Sequence, residues 1–166
     1  MAFKDLDALL EGENPQQKPE QGGPRVLVVD DDPAMRKSLD GLLRTSYQVV
    51  LAATAREAVA AANDDTCVVI LDVKMKDHDG FWACTEIRKK YPTLPVIFYS
   101  AYQDVKDPFE IINEFRPFGY LVKDGEPRRL LDTVKLAVRL HKRRQANNEL
   151  IERVASDRRS DRPPKP

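Results

Sequence analysis

The chain is poor in the residues that build several common kinds of site. It has two cysteines, Cys67 and Cys84, and two histidines in 166 residues, too few for a disulfide framework or a Cys/His zinc site. We therefore expect both cysteines to be small core residues. No apolar run approaches the roughly 20 residues that a membrane-spanning helix needs, and no signal peptide is evident. These absences favour a cytoplasmic protein without a membrane span.

Net charge is also lacking, since 27 basic residues balance 27 acidic ones, but the two signs are unevenly distributed. Residues 1–24 carry 2 basic and 5 acidic residues, whereas residues 139–166 carry 9 basic and 4 acidic residues. A basic end can contact nucleic acid, but runs of charge are more often simply solvated. We therefore do not expect nucleic acid as a partner.

Composition divides the chain into three regions. Residues 1–24 are predicted to be a flexible segment, with a short amphipathic stretch at 1–11 followed by a linker rich in Pro, Gly and Gln. Residues 25–140 form the predicted globular domain. Residues 141–166 are predicted to extend the last helix to about Ala155 and then to end in a disordered basic tail.

Apolar strands alternate with helices through the globular region, which predicts an α/β fold with a parallel sheet. The unbroken apolar run Val68–Leu71 is typical of a central strand buried on both faces. Five strand–helix units fit a flavodoxin-like, doubly wound (βα)5 sheet of order 2-1-3-4-5 with an extended C-terminal helix. The predicted strands cover 26–30, 47–51, 67–71, 95–100 and 119–122, and the helices begin near Pro33, Thr54, Asp79, Pro108 and Pro127.

Carboxylates follow two of these strands directly. Asp30 and Asp31 end the first strand and Asp72 ends the third, and these strands are neighbours in the predicted order. Clustered carboxylates repel one another unless a cation is present, and an all-oxygen set suits Mg²⁺. Ser100 and Lys123 end the fourth and fifth strands. Such a group can cradle a phosphoryl group, with Asp72 as the nucleophile that forms an acyl phosphate.

Four segments occur in order: VLVVDDDPAMR, VVILDVKMKDHDG, PVIFYSAY and GYLVK. Together they resemble the receiver (REC) domain of two-component response regulators, over roughly residues 25–140. The resemblance implies that Asp72 is the phosphoacceptor. It also implies that Asp30 and Asp31 hold Mg²⁺ together with Asp72 and the backbone carbonyl of Lys74.

The same resemblance assigns roles on the last two strands. Ser100 corresponds to the hydroxyl that follows the phosphoryl group, Tyr120 to the aromatic switch residue, and Lys123 to the invariant lysine. Two positions depart from the family pattern, because Lys76 and Asp124 stand where many receivers have proline. A non-proline cis bond costs about 3 kcal/mol, so we expect a trans bond after Lys123 or a reshaped loop.

The resemblance implies a phosphorelay protein rather than an enzyme with a separate substrate, with activity limited to phosphoryl transfer onto itself and autodephosphorylation. Its phosphodonor would be a histidine kinase or a histidine phosphotransfer protein. Its output partner would be another protein or a second copy, bound through the C-terminal helix or the face formed by the fourth helix, fifth strand and fifth helix. Too few residues follow the domain for a helix-turn-helix module.

Two alternatives remain. Asp30-Asp31-Asp32 contains the Asp-x-Asp of aspartate-nucleophile phosphatases of the haloacid dehalogenase kind, although no cap insertion follows. An unphosphorylated scaffold with a nucleic-acid-binding tail is the other. A heptad for helix pairing runs through Leu130, Val134, Ala137, His141, Arg144, Asn148, Ile151 and Ala155. His78 is expected in an exposed loop, Trp82 to be partly buried, and His141 to be solvated.

Overall fold

The computed structural model describes residues 23–101 and 107–160, without the side chains of Pro108 and of residues 157–160. The predictions for the N-terminal stretch 1–11 and for residues 161–166 lie outside the described residues. Tyr102 follows Ser100 and Ala101, so we expect it at the rim of the site, but it too lies outside the described residues.

Five strands alternate with five helices, as the apolar pattern predicts. The strands are β1 (Arg25–Val29), β2 (Gln48–Ala52), β3 (Thr66–Leu71), β4 (Val96–Ser100) and β5 (Gly119–Val122). The helices are α1 (Pro33–Leu43), α2 (Ala55–Ala61), α3 (Gly80–Lys90), α4 (Pro108–Phe115) and α5 (Pro127–Ser160). All strand pairs are parallel and the order is β2-β1-β3-β4-β5, so the predicted flavodoxin-like fold is confirmed.

The sheet is buried on both faces because its central strands carry apolar residues at nearly every position. Val26 and Val28 of β1 pack into one core with α1 and α5, whereas Leu27 and Val29 pack into a second core with α2, α3 and α4. This alternation follows from the two-residue period of a strand. Cys67 and Cys84 are buried in opposite cores and unbonded to each other, as expected.

Capping side chains fix where three helices begin. Asp32 accepts a hydrogen bond from the Ala34 amide at the start of α1, and Asp79 accepts one from the Trp82 amide at the start of α3. Thr54 caps α2. Such caps satisfy amides that have no partner within the helix. Asp32 directly follows Asp30 and Asp31, so its cap also sets the direction of the chain beside the site.

Helix α5 extends well beyond the sheet. Its 34 residues correspond to about 51 Å at 1.5 Å per residue. The prediction of disorder from residue 156 is wrong for 156–160, since helical hydrogen bonding continues to Ser160 with no proline to interrupt it. No helix in the described parts of the chain is long and apolar enough to cross a membrane.

The predicted heptad is used differently along the helix. Its first four members are buried in the domain, including His141, which is 7 % exposed, so the expectation that this histidine is solvated is wrong. The buried face of α5 therefore continues to His141, about one turn beyond Ala137. The exposed apolar residues of α5 form another row: Leu136, Leu140, Leu150, Ile151 and Val154.

Candidate functional site

The acidic side chains meet at the carboxyl edge of the sheet because β1 and β3 are hydrogen-bonded neighbours in register. The Asp72 amide donates to the Val29 carbonyl at 2.9 Å, which ties the two strand ends together. Asp30 and Asp72 are buried and Asp31 is half-buried. One carboxylate oxygen from each lies within 4.8 Å of the others. The structure therefore brings together the three acids that the sequence predicts.

Lys123 joins this cluster from β5. Its Nζ donates to Asp30 Oδ2 at 2.6 Å and lies 3.3 Å from Asp72 Oδ2. The Lys123 amide donates to the Ser100 carbonyl, so the end of β4 fixes the backbone position of the lysine at the carboxyl edge of the sheet. Burial acts to lower the pKa of Lys123, but the hydrogen bond to Asp30 and the charge of Asp72 outweigh it and raise the pKa. The ammonium is thus kept charged between the two carboxylates.

Asp72 is held in an environment that disfavours its negative charge. Burial raises the pKa of Asp72, Lys123 opposes the rise, and the neighbouring Asp30 adds to it. The Val73 amide donates to Asp72 Oδ1 at 2.8 Å, which fixes the orientation of the carboxylate. Oδ2 faces Lys123 Nζ at 3.3 Å. A divalent cation at this edge would offset the negative charge that Lys123 alone leaves uncompensated.

The remaining predicted residues surround the cluster. Ser100 is fully buried at the end of β4, next to Lys123 in the sheet. Tyr120 is half-buried on β5, with its ring centroid 6.1 Å from that of Phe98. Lys74 is exposed in the loop after Asp72. Their positions agree with the expected arrangement, whereas the roles of the Ser100 hydroxyl, the Tyr120 ring and the Lys74 carbonyl stay predictions.

The loop after Lys123 departs from the family pattern without displacing the lysine. No cis peptide bond occurs in the described residues, so the bond to Asp124 is trans, as expected. Asp124 Oδ1 accepts from the Glu126 amide at 2.9 Å, and Gly125 adopts a positive φ of 85°. A side chain at Gly125 would be strained, because this conformation is readily available only to glycine. The loop therefore turns into α5 by its own hydrogen bonding.

Three residues that support the site were not identified from the sequence. Arg36 Nη1 donates to the Asp30 carbonyl at 2.6 Å. A Cβ added to Gly80 would lie 2.1 Å from the Asp72 carbonyl oxygen, so α3 can start there only with glycine. Asp77 accepts hydrogen bonds from the Ala55 and Arg56 amides, which anchors the acceptor loop to the start of α2. For only one of the three, Gly80, does the sequence carry a local signal, namely the Asp-Gly pair at 79–80.

The aromatic residues near the acceptor loop form a small stack outside the acidic cluster. The rings of His78 and Trp82 are 4.2 Å apart at an interplanar angle of 21°. His78 Nε2 lies 3.4 Å from an Arg56 guanidinium nitrogen. His78 and Trp82 are both half-buried, as expected for Trp82 and contrary to the exposed loop histidine predicted for His78. Stacking on Trp82 provides the cover that a lone loop histidine lacks.

The donor set fits a hard divalent cation. Asp30, Asp31 and Asp72 offer oxygen atoms alone, and Mg²⁺ is usually held by one or two carboxylates with waters completing the shell. Zinc prefers nitrogen and sulfur, which this edge does not supply within the described residues. The chemistry of the cluster thus agrees with the magnesium predicted from the sequence.

The fold and the acidic edge together define a doubly wound α/β protein with a carboxylate cluster at the carboxyl ends of β1 and β3. The profile of the family described as Response regulator receiver domain matches residues 26–135. The chain therefore belongs to the response regulator receiver domain family, and the resemblance inferred from its motifs is confirmed.

Curated relatives share this domain within longer chains. The chain is 38 % identical over 112 residues to the response regulator protein FleR of Pseudomonas aeruginosa, covering 66 % of this chain and 24 % of that one. It is 30 % identical over 128 residues to the probable transcriptional regulator ycf27 of Porphyridium aerugineum, covering 76 % and 52 %. The chain thus spans about a quarter to a half of the length of these relatives.

Solved structures agree with the fold. The response regulator TrrA of Thermotoga maritima, solved in complex with Mg²⁺-BeF, is 30 % identical with a TM-score of 0.60, covering 68 % of this chain and 97 % of that one. A CheY-like receiver domain protein from Methanospirillum hungatei is 27 % identical with a TM-score of 0.68, covering 74 % and 99 %. The family match covers the sheet, helices α1 to α4 and the first part of α5, through residue 135.

Proposed function

We propose that this protein is a phosphoacceptor module of a two-component phosphorelay, in which Asp72 receives a phosphoryl group from a histidine kinase or a histidine phosphotransfer protein. The observation that carries the proposal is the position of the Lys123 ammonium between Asp30 and Asp72 at the carboxyl edge of the sheet. Burying a lysine with two acids costs desolvation free energy, and charged clusters of this kind with shifted pKa values are concentrated at functional sites.

The transfer requires a nucleophile and stabilisation of the equatorial oxygens. An oxygen of Asp72 forms a bond to phosphorus while the P–N bond of the donor breaks, and the electron pair of that bond leaves on the imidazole nitrogen. Asp72 Oδ2 is the attacking atom best suited to this, because Oδ1 accepts from the Val73 amide. Lys123 and Ser100 stabilise the phosphoryl oxygens.

Asp30, Asp31 and Asp72, with the Lys74 backbone carbonyl, would hold the magnesium ion. When bound, the ion neutralises the charge of the carboxylates and of the incoming phosphoryl group. Arg36 stabilises this set by donating a hydrogen bond to the Asp30 carbonyl. The Asp32 amide donates to Asp30 Oδ1 at 2.9 Å, which leaves Asp30 Oδ2 on the side of Lys123.

Phosphorylation would be read out through β4 and β5. The Ser100 hydroxyl would move toward the phosphoryl group and Tyr120 would turn inward against Phe98, changing the face formed by α4, β5 and α5. That face carries Phe109 and Ile112, which are 76 % and 58 % exposed. Exposed apolar residues of this size are suited to contact with an output protein or a second copy.

A second copy could also pair through the exposed apolar row on α5. Leu136, Leu140, Leu150 and Val154 lie at heptad-like spacing, but Arg143 and Asn147 interrupt the row. We therefore propose self-association as an outcome of phosphorylation rather than as a permanent state. Size-exclusion chromatography with light scattering, with and without phosphodonor, would show the change in mass.

The direct test of the proposal is intact-mass analysis of the full chain after incubation with Mg²⁺ and a small phosphodonor such as acetyl phosphate. The parent protein should gain one phosphoryl group, whereas Asp72→Asn should gain none and Lys123→Ala should gain it more slowly. Equal labelling of the parent and Asp72→Asn would refute the assignment.

The same protein distinguishes the alternatives. Turnover of an aryl phosphate that depends on Asp30 but not on Asp72 would indicate a phosphatase of the haloacid dehalogenase kind. We instead propose that the chemistry is limited to self-phosphorylation and autodephosphorylation in the cytoplasm. Salt-sensitive binding of DNA or RNA through residues 139–166 would favour the scaffold hypothesis.

A further inference from the structure

A second polar cleft lies at the opposite edge of the sheet from Asp72. It is formed where the chain enters β4 and β5, between the end of α3 and the middle of α5, and its volume is about 260 Å³. Backbone of the loops 92–95 and 116–118 forms part of its wall. The proposed phosphoryl chemistry uses none of these residues.

The charges that line this cleft are all positive. Arg88 comes from α3, Arg116 from the end of α4, and Arg144 from α5, and the lining residues include no Asp or Glu. Three arginines lining one cleft, with no Asp or Glu among the lining residues, give it a positive potential that favours an anion.

Arg116 is held at the cleft in an unusual conformation. It ends α4 with a positive φ of 44°, a position at which glycine or asparagine is usual. Arg88 Nη2 donates to the Arg116 carbonyl at 2.8 Å and so stabilises this turn. Backbone conformations of this kind in non-glycine residues are concentrated at functional sites.

His141 supplies an independent indication. It lines the cleft, it is 7 % exposed, and its Nδ1 is buried with no hydrogen-bond partner among the described residues. Burial and the charge of Arg144 lower the pKa of His141, and a hydrogen bond to the Thr93 backbone opposes them. A buried polar atom without a partner is costly, and such atoms in native proteins are often completed by a ligand.

His141 also lines a neighbouring cleft of about 210 Å³, which contains both Lys90 and Asp64. That cleft has charges of both signs, so it offers no comparable attraction for an anion. The arginine-lined cleft is therefore the better partner for the imidazole.

We propose that the arginine-lined cleft binds a small soluble oxyanion of the phosphate class. The guanidinium groups of Arg88, Arg116 and Arg144 would neutralise its charge through paired N–H donors. His141 Nδ1 has no hydrogen-bond partner and no exposed surface among the described residues, so the hydroxyl of a hydrogen phosphate group would donate to it only after a small rotation of the ring toward the cleft. A cleft of this volume lies below the range of drug-sized pockets and suits one or two phosphate groups.

The site would act on the long helix rather than on the acceptor. His141 and Arg144 lie where α5 leaves the sheet, so a bound anion would connect the extension to the loops before β4 and β5. Its occupancy does not require Asp72, so this inference can fail while the phosphoacceptor proposal holds, and the reverse is also true.

The test uses the full chain and pyrophosphate as the probe, in EDTA and at constant ionic strength, followed by ¹H–¹⁵N NMR. The parent should show saturable shifts at residues 93, 116, 118 and 140–144. The double variant Arg116→Gln/Arg144→Gln should bind at least about tenfold more weakly, because two charge-assisted contacts are lost. His141→Phe should also bind more weakly, and Asp72→Asn should bind like the parent.

The matched control is Arg139→Gln/Arg153→Gln, which removes the same charge from exposed positions of α5 outside the cleft. Affinity of this control within twofold of the parent supports the proposal. Equal weakening of both double variants would show diffuse attraction to a basic helix and overturn it. Absence of saturable shifts in the parent, or shifts elsewhere only, would also overturn it.

Discussion

Replacing Gly80 with alanine tests whether the start of α3 determines the geometry of the phosphoacceptor. The added Cβ would lie 2.1 Å from the Asp72 carbonyl oxygen and 3.1 Å from Val73 Cα. Both are backbone atoms, so no side chain can rotate away, and α3 and the acceptor strand must separate by roughly 1 Å. Overpacking of this kind typically costs 1–3 kcal/mol.

We expect Gly80→Ala to lose about 2–3 kcal/mol of unfolding free energy, or about 5–10 °C in Tm for a domain of this size. Asp72 would also move relative to Lys123, so labelling by a small phosphodonor should slow more than the loss of folded protein explains. Urea unfolding and initial labelling rates, measured well below the Tm, separate the two effects.

Gly41→Ala is the matched control. Gly41 lies inside α1 and a Cβ there would meet nothing within 4 Å, so alanine should stabilise the helix by about 0.5–1 kcal/mol and leave labelling unchanged. If Gly80→Ala were as stable as Gly41→Ala and labelled at the parent rate, the close approach of α3 to Asp72 would not constrain the site.

Three further predictions concern the cation, the acceptor loop and His141. Saturating Mg²⁺ should stabilise the parent, by about 2.7 kcal/mol at a hundred times the dissociation constant, and thermal melts of Asp31→Asn should lose most of this gain; an equal gain in both would place the ion elsewhere. Asp77→Ala should lose about 0.5–2 kcal/mol in urea unfolding, because the Ala55 and Arg56 amides lose their acceptor; the exposed neighbour Lys76→Ala is the control, and equal losses would contradict this role. The lowered pKa of His141 means that the native state binds a proton less readily than the unfolded chain, whose reference value is 6.5. Stability due to this residue is therefore present above about pH 6.5 and is lost as the pH falls below that value, and His141→Gln should flatten unfolding free energy against pH in that range without phosphate.

Much of the candidate site can be predicted from local sequence patterns. The apolar runs before Asp30 and Asp72 predict buried strands, and parallel strands bring their carboxyl ends to the same edge. The convergence of these acids with Lys123 therefore follows once the strand order is known. Contacts between segments that are distant in sequence could not be predicted, because Arg36 and Gly80 act on backbone atoms whose positions depend on how α1 and α3 pack.

The burial of His141 illustrates the same limit. The helical periodicity does not decide whether His141 lies on the inner face or in the solvated extension. The predicted heptad places it among the residues that would pair two helices. Its environment is set by the loops 92–95 and 116–118, which are distant in sequence and have no pattern that points to α5. The arginine-lined cleft is likewise assembled from three elements and visible only when they are packed.

The sequence by itself determined the strand–helix alternation, the family and the candidate site residues Asp30, Asp31, Asp72, Ser100 and Lys123, because periodicity and the residues at strand ends are local properties. The tertiary structure decided which side chains share a hydrogen bond, which glycine must stay small, and where the basic side chains gather. Those features depend on distances between segments far apart in the chain, and packing alone sets such distances.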